Sequence, residues 1–336
     1  MTSRRVVNEP TISRDRVWLE TIIGFTASAS IFAMAMRRIS PSLRPVAKYT
    51  LESGRKLRAD IAQVARVLTP VIQARQKHPT GSGAEKKGSS SGNTDDHPQD
   101  LVQWLIEASK GADTHPDAII VKALFLIVAA IHTSALTAIH ALYDLCAYPE
   151  FMEELRVEAV EEIGANGWSS TSLLRLRKME SFLKESGRVN SGAVVSFQRL
   201  TLAPIRLSNG FCIPAGTHIC VAADARSRDP KLYEEPTEFR PLRFYAPPKD
   251  ADVGVDTANL FSSVAAGDSW FGVGRQACPG RWYASAQIKL VLCILLIDYD
   301  FMFPEGQGRP QNWIEDERIG PNMEQMILFK RRAATA

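Results

Sequence analysis

The run THPDAIIVKALFLIVAAIHTSALTAIHALYDLCAYPE, from Thr114 to Glu150, constrains the fold more than any other stretch. Pro116 suits the first turn of a helix and Pro149 suits its end. The residues between them number about 33, which is roughly 50 Å of helix if continuous. The run is apolar nearly all round, so it is expected to cross the middle of a large domain. Lys122, His132, His140 and Asp144 interrupt it between Ala118 and Leu145. A chain of 336 residues that is 45% hydrophobic can supply a core around such a helix.

The rest of the chain reads as helices first and strands late. The uncharged stretch from Thr21 to Met36 contains Gly24, Thr26, Ser28 and Ser30 and is short for a membrane span; a soluble core helix is expected. Leu57, Ile61, Val64, Val67 and Leu68 recur at helical spacing. Residues 76–100, rich in Gly, Ser and charge, predict a disordered surface loop. A short helix follows in DLVQWLIEASKG, and further helices are expected in EFMEELRVEAVEEIG and RKMESFLKESGRV. The chain then becomes β-branched, with SNG as a hairpin turn and IPAG as a second turn. A Pro-rich charged meander precedes a helix from Arg281 to about Asp298 and a strand-poor tail. The fold class expected is mainly α with a small β subdomain, as one domain over 1–330 with 331–336 as a tail.

A net charge of +3, with basic and acidic residues interspersed, makes no case for nucleic acid as a partner. The five cysteines are odd in number and lack a CxxC pair, which argues against a disulfide framework or a cysteine-rich zinc site. Cys146, Cys220 and Cys293 sit in apolar runs and are expected to be buried small hydrophobes. Cys212 falls in the predicted hairpin. Cys278 stands apart in SWFGVGRQACPGRW, Ser269 to Trp282.

In that loop Gly272, Gly274 and Gly280 permit close approaches that side chains would block. Phe271 offers a flat apolar face. Cys278 lies just before a helix N-terminus, whose partial positive charge and free N–H groups favour thiolate over thiol. A thiolate beside an aromatic, with glycines that admit a large flat group, suits an axial ligand to haem iron, and metal binding and thiol ionisation reinforce each other. A glycine-rich loop with an incidental buried cysteine is the competing reading.

FGVGRQACPGR resembles the FxxGxxxCxG signature of the cytochrome P450 family, with Phe271, Gly274, Cys278 and Gly280 matching residue by residue. Three weaker motifs fall in that family's order. Glu185 and Arg188 of ESGR share a helix face and resemble the ExxR pair of a buried network behind the haem. FRPLRF resembles the PxRF segment, which makes Arg243 the third member, with Arg240 as its competitor; such a trio specifies geometry rather than adding stability. AAIHTS, Ala129 to Ser134, resembles the oxygen-activation motif of the central helix, with Thr133 on the family's threonine, His132 in place of the usual acid and Ala130 in place of the usual glycine. A Thr hydroxyl bonded to a backbone carbonyl loosens the helix locally and leaves room for O2 and water; a merely back-bonded core residue is the alternative. Arg199 follows the ExxR helix where the family often places a propionate-binding arginine. Gln276 stands where the family commonly has Arg or His, so that the propionate contact could come from Arg275 instead.

The resemblance covers about Asn8 to Lys330 and implies a cytochrome P450 fold lacking its N-terminal part, either a shortened member or an incomplete gene model. It implies a haem-thiolate monooxygenase with haem iron held by Cys278. Electrons would come from NADPH through a separate NADPH-cytochrome reductase, since the glycines near Cys278 lack the strand-then-helix context of a dinucleotide site. O2 and a small apolar substrate complete the expected partners, the substrate being a fungal secondary metabolite of terpenoid or indole-derived type. A monomer is expected. The endoplasmic reticulum membrane is the location implied, although the family's anchor is not visible in this chain and a soluble protein is the alternative. Competing readings are a non-catalytic haem-binding fragment and a cofactor-free helical scaffold.

Overall fold

The computed structural model describes residues 2–77, 98–247, 259–264 and 270–333. They fall into two compact units, Met1–Thr133 and Ser134–Ala336.

The first unit is helical. After α1 (Thr2–Val6) and α2 (Pro10–Ser13), α3 (Arg16–Arg37) starts where the Asp15 carboxylate accepts the Trp18 N–H at 2.7 Å. Two further helices, α4 (Arg44–Thr50) and α5 (Glu52–Lys77), precede α6 (Leu101–Ala108). Val64, Leu68 and Ile72 of α5 are spaced by four, face one way and are fully buried against Trp18, Ile22 and Phe25 of α3. The loop expected over 76–100 is corrected at its two ends. Gln76 and Lys77 complete α5, and Asp100 caps α6 through the Gln103 N–H at 2.9 Å; residues 78–97 lie outside the described residues. Asp100 is buried, so charge drives this ordering: Arg75 grips its two oxygens at 2.8 and 2.9 Å.

The long apolar run forms α7 (Pro116–Ala147), with Pro116 at its start as its rigid φ favours. The unit boundary falls inside it. Ile119, Ile120, Ala123, Leu124 and Ile127 enter the core of the first unit. Val121 and Phe125, at 62% and 72% exposure, correct the expectation of burial all round, because only one stripe of the helix finds partners within its unit. By length and composition α3 and α7 could cross a membrane, with mean hydropathies of 1.5 and 2.2; core helices of soluble proteins meet the same test.

In the second unit, α8 (Pro149–Asn166), α9 (Ser170–Arg175) and α10 (Arg177–Val189) pack with α12 (Arg281–Asp298) around Leu155, Phe182, Leu183, Leu292 and Leu296. Among the described residues this unit also holds four two-stranded antiparallel ribbons. β1 (Val195–Leu200) pairs with β4 (His218–Ala222), and β2 (Ile205–Arg206) with β3 (Cys212–Ile213). The turn α11 (Ala223–Ser227) follows β4. β5 (Tyr299–Met302) pairs with β8 (Leu328–Arg331), and β6 (Trp313–Glu315) with β7 (Arg318–Gly320). The tail is therefore not strand-poor; its strands are only three or four residues long, too short to show a period-two pattern. Nor does the ordered chain stop at 330. Arg331 ends β8, and Arg332 donates its amide to Asp298 O at 2.9 Å and its guanidinium to Asp300 at 2.7 Å. Residues 334–336 lie outside the described residues. Cys220 corrects a further expectation: it is exposed, because its ribbon is covered on neither face along most of β4.

Candidate functional site

The cysteine loop is closed by its own backbone. The Cys278 amide donates to Phe271 O at 2.7 Å, and the Ala277 amide to Gly274 O at 3.0 Å. Between them Gly272 adopts φ +75°, where a Cβ would press on Gln276 O at 3.4 Å; glycine is required for this return of the chain. Gly280 is the N-cap of α12, which starts two residues beyond Pro279, and Arg281 donates Nη1 to Cys278 O at 2.9 Å. Cys278 is half-buried. Among the described residues no hydrogen bond to its Sγ is seen, and α12 begins three residues later. The Phe271 ring stands edge-on to Phe261 at 5.0 Å, which fixes one wall of the loop. Gly274, Arg275 and Gly280 are exposed around its rim.

Behind the loop, α10 carries a buried ionic network. Glu185 is fully buried and accepts from Arg188 Nε at 2.7 Å and Nη2 at 2.8 Å. Arg243 adds its Nε at 3.0 and 3.1 Å to the two carboxylate oxygens. Arg240 contributes only its backbone N–H, at 2.8 Å, while its guanidinium turns to Glu234 and Glu235. The spare donors of Arg188 are met by the carbonyls of Ser227, Pro236 and Glu238 at 2.6 to 3.0 Å. Every charge of this network is thus paired and hydrogen-bonded, the condition for burying it at tolerable cost.

The opposite side of α10 holds a second network that sequence reasoning missed. Asp144, buried in the last turns of α7, accepts from Ser186 Oγ at 2.6 Å, Asn190 Nδ2 at 3.1 Å and Arg309 Nε at 2.5 Å. Burial pushes the Asp144 carboxyl above its ordinary range, against the pull of Arg309 and these hydrogen bonds. Arg309 also reaches Asn190 Oδ1 at 2.7 Å and His140 Nδ1 at 3.4 Å. His140 is lowered to about 3, first by burial and then by Arg309, and is neutral at pH 7; it is a satisfied core histidine. A third buried pair joins Lys289 of α12 to Glu180 of α10, and Glu180 also accepts the Phe261 N–H at 2.6 Å. Burial raises both Cys146 and Cys293 to about 12, so these two thiols stay protonated and act as hydrophobes.

Thr133 and His132 belong to the first unit. The Thr133 hydroxyl donates to Ala129 O at 2.6 Å, one turn back along α7, and the side chain is exposed. Among the described residues His132 Nε2 is buried without a hydrogen-bond partner. Arg199 is exposed on β1 and donates to its neighbour's carbonyl, Gln198 O, at 2.8 Å.

A sequence model of the family described as Cytochrome P450 matches residues 22–320. Among curated proteins, cytochrome P450 monooxygenase olcJ of Penicillium canescens is 33% identical over 100% of this chain and 61% of its own length. Ent-kaurene oxidase P450-4 of Gibberella fujikuroi is 35% identical over 98% of this chain and 63% of its own. Cytochrome P450 monooxygenase paxP of Penicillium paxilli is 36% identical over 97% and 61%. The chain thus spans about three fifths of the length of these relatives. The solved heme domain of cytochrome P450DA matches with a TM-score of 0.71 at 19% identity, over 99% of this chain and 65% of that one, a likeness of fold alone.

Proposed function

This chain belongs to the cytochrome P450 family, and we propose that it is a haem-thiolate monooxygenase that inserts one oxygen atom of O2 into a small apolar fungal metabolite. The observation that carries the proposal is the backbone-closed loop presenting Cys278, half-buried and beside Phe271, at the head of α12. The residues present fit a haem. A half-buried thiol beside the Phe271 ring suits a metal that arrives within a flat prosthetic group. A Cβ on Gly280 would come to 3.9 Å from Cys278 Sγ, so this glycine stands directly against the sulfur.

When bound, haem supplies a thiolate-ligated iron able to activate O2 with electrons delivered from outside the chain. Cys278 would hold that group, and Arg275 and Arg199 would meet its carboxylates. Glu185, Arg188 and Arg243 would keep α10 in one register behind the loop, a task of geometry rather than of added stability. For Thr133, whose hydroxyl donates to Ala129 O at 2.6 Å, the role inferred is proton delivery, with His132 as a second carrier. NADPH would act through a separate reductase, at the endoplasmic reticulum membrane.

The relatives support an apolar substrate. One is an ent-kaurene oxidase, named for a terpenoid hydrocarbon, which favours a terpenoid or indole-derived scaffold here. The test is turnover with NADPH, a fungal reductase and isotopically labelled O2 on a panel of such scaffolds. One labelled oxygen in the product supports the proposal. No product alongside a normal thiolate-type haem spectrum supports the non-catalytic fragment instead.

A further inference from the structure

The end of α10 contains a glycine that the helix itself does not need. Gly187 lies between Glu185 and Arg188 of one buried network and Ser186 and Asn190 of the other, and glycine in a helix interior is less stable than alanine. A Cβ there would come to 3.1 Å from Cδ2 and 3.4 Å from Cε2 of the Trp270 indole, and 3.4 Å from Phe261. The far edge of the same indole faces Gly192, at φ +67°, where a Cβ would meet it at 3.7 and 3.8 Å. The ring therefore lies flat across two glycines that frame the C-terminus of α10. It also tilts against Phe261 and stands edge-on to Phe271, each at 6.4 Å between ring centres. Trp270 is joined by one peptide bond to Phe271, whose carbonyl receives the Cys278 amide.

We propose that Trp270 is a positioning residue: seated in the Gly187–Gly192 notch, it sets the cysteine loop in register with α10. Its neighbour Phe271 carries that register to Cys278 through the 2.7 Å hydrogen bond. The two networks clamp α10 from opposite sides, so the notch is a fixed reference and not a yielding patch. Only the haem arm of the test below rests on reading Cys278 as the iron ligand.

The experiment is amide hydrogen exchange on the full chain, comparing wild type with Trp270→Phe, Trp270→Leu, Gly187→Ala and the Gly187→Ala/Trp270→Leu pair. Trp270→Leu should speed exchange at the Cys278 amide about tenfold or more while amides of α12 such as Leu292 hold their rates. Gly187→Ala should act in the same direction, because its methyl, 3.1 Å from Cδ2, makes the indole give by a few tenths of an ångström. Trp270→Phe should restore most of the protection. In the pair, adding Gly187→Ala to Trp270→Leu should cause no further loss, since the space is then free. An unchanged Cys278 amide, a uniform rise across α12, or strictly additive effects would overturn the proposal. Should Trp270→Leu fail to fold, Gly187→Ala against Trp270→Phe decides the matter alone. After loading with haemin, the thiolate-type fraction of the carbon monoxide spectrum should fall in Trp270→Leu and Gly187→Ala. A wild type lacking that spectrum would refute the ligand assignment and leave the exchange result standing.

Discussion

Replacing Glu185 by Gln tests whether the buried network on α10 is held by its shared carboxylate charge or by ordinary packing. The substitution keeps the shape and removes one negative charge. Glu185 accepts four guanidinium contacts, at 2.7 and 2.8 Å from Arg188 and at 3.0 and 3.1 Å from Arg243, and one amide at 2.8 Å. A glutamine has one acceptor oxygen and turns an NH2 toward donors it cannot serve. The side chains of Arg188 and Arg243 are only 4% and 9% exposed, so water cannot replace the lost partner. Removing one member of a buried pair costs about 3–5 kcal/mol. The carbonyls of Ser227, Pro236 and Glu238 still hold Arg188, which places the expected loss near the lower end, about 3 kcal/mol. With a urea slope of about 3 kcal/mol per molar, the midpoint should fall by about 1 M. The assay is urea unfolding followed through protection of the α10 amides. Glu20→Gln is the control, since Glu20 pairs with Arg16 at 2.7 Å while both side chains are exposed, and such pairs contribute about 0.5 kcal/mol or less. A midpoint for Glu185→Gln within the scatter of that control would refute the reasoning.

Lys289→Met should destabilise the second unit by about 3 kcal/mol, because it strands the buried Glu180 carboxylate. Adding Glu180→Gln should recover part of that loss in a urea double-mutant cycle; a Lys289→Met loss within the Glu20→Gln scatter, or a cycle without recovery, would contradict this. His140 has a folded pKa of about 3 against an ordinary 6.5, so the unfolded chain binds the extra proton between those values. Its share of stability is therefore intact above pH 6.5 and is lost as pH falls toward 3, at up to about 1.4 kcal/mol per pH unit. Asp144, raised by burial, acts with the opposite sign just above its ordinary range, so the difference between wild type and His140→Gln isolates the histidine; equal pH slopes for the two proteins would refute the assignment. Thr133→Ala should raise peroxide formed per product in reductase assays while leaving thermal stability nearly unchanged, since the side chain is exposed and its hydroxyl donates to Ala129 O one turn back in the same helix. Unchanged coupling would reduce Thr133 to a helix residue.

Features encoded by local spacing were legible in the sequence. Pro116 and an apolar run announced α7, the three-residue step from Glu185 to Arg188 announced a shared face, and the glycines around Cys278 announced a backbone-built loop. Features encoded by distant partners were not. Asp144 and Arg309 are 165 residues apart, one in an apolar helix and the other in a Gly- and Pro-rich stretch, and neither has a neighbour that hints at the pairing. The β5–β8 ribbon was hidden for the same reason, and Gly187 made sense only once the indole lying on it was seen. Burial was misjudged where a hydrophobic residue has no second layer, as at Cys220 and Phe125. Composition reports what a residue prefers, not whether a neighbour arrives to cover it.

The sulfur of Cys278 is the centre of the account, and a carbon monoxide difference spectrum of the reduced, haemin-loaded chain addresses it directly. Wild type should show the Soret shift typical of a thiolate ligand, and Cys278→Ala should lose it, while Cys220→Ala, at an exposed strand position, should not. The same thiolate-type shift persisting in Cys278→Ala, or a histidine-type band in wild type, would contradict the claim that this loop holds iron.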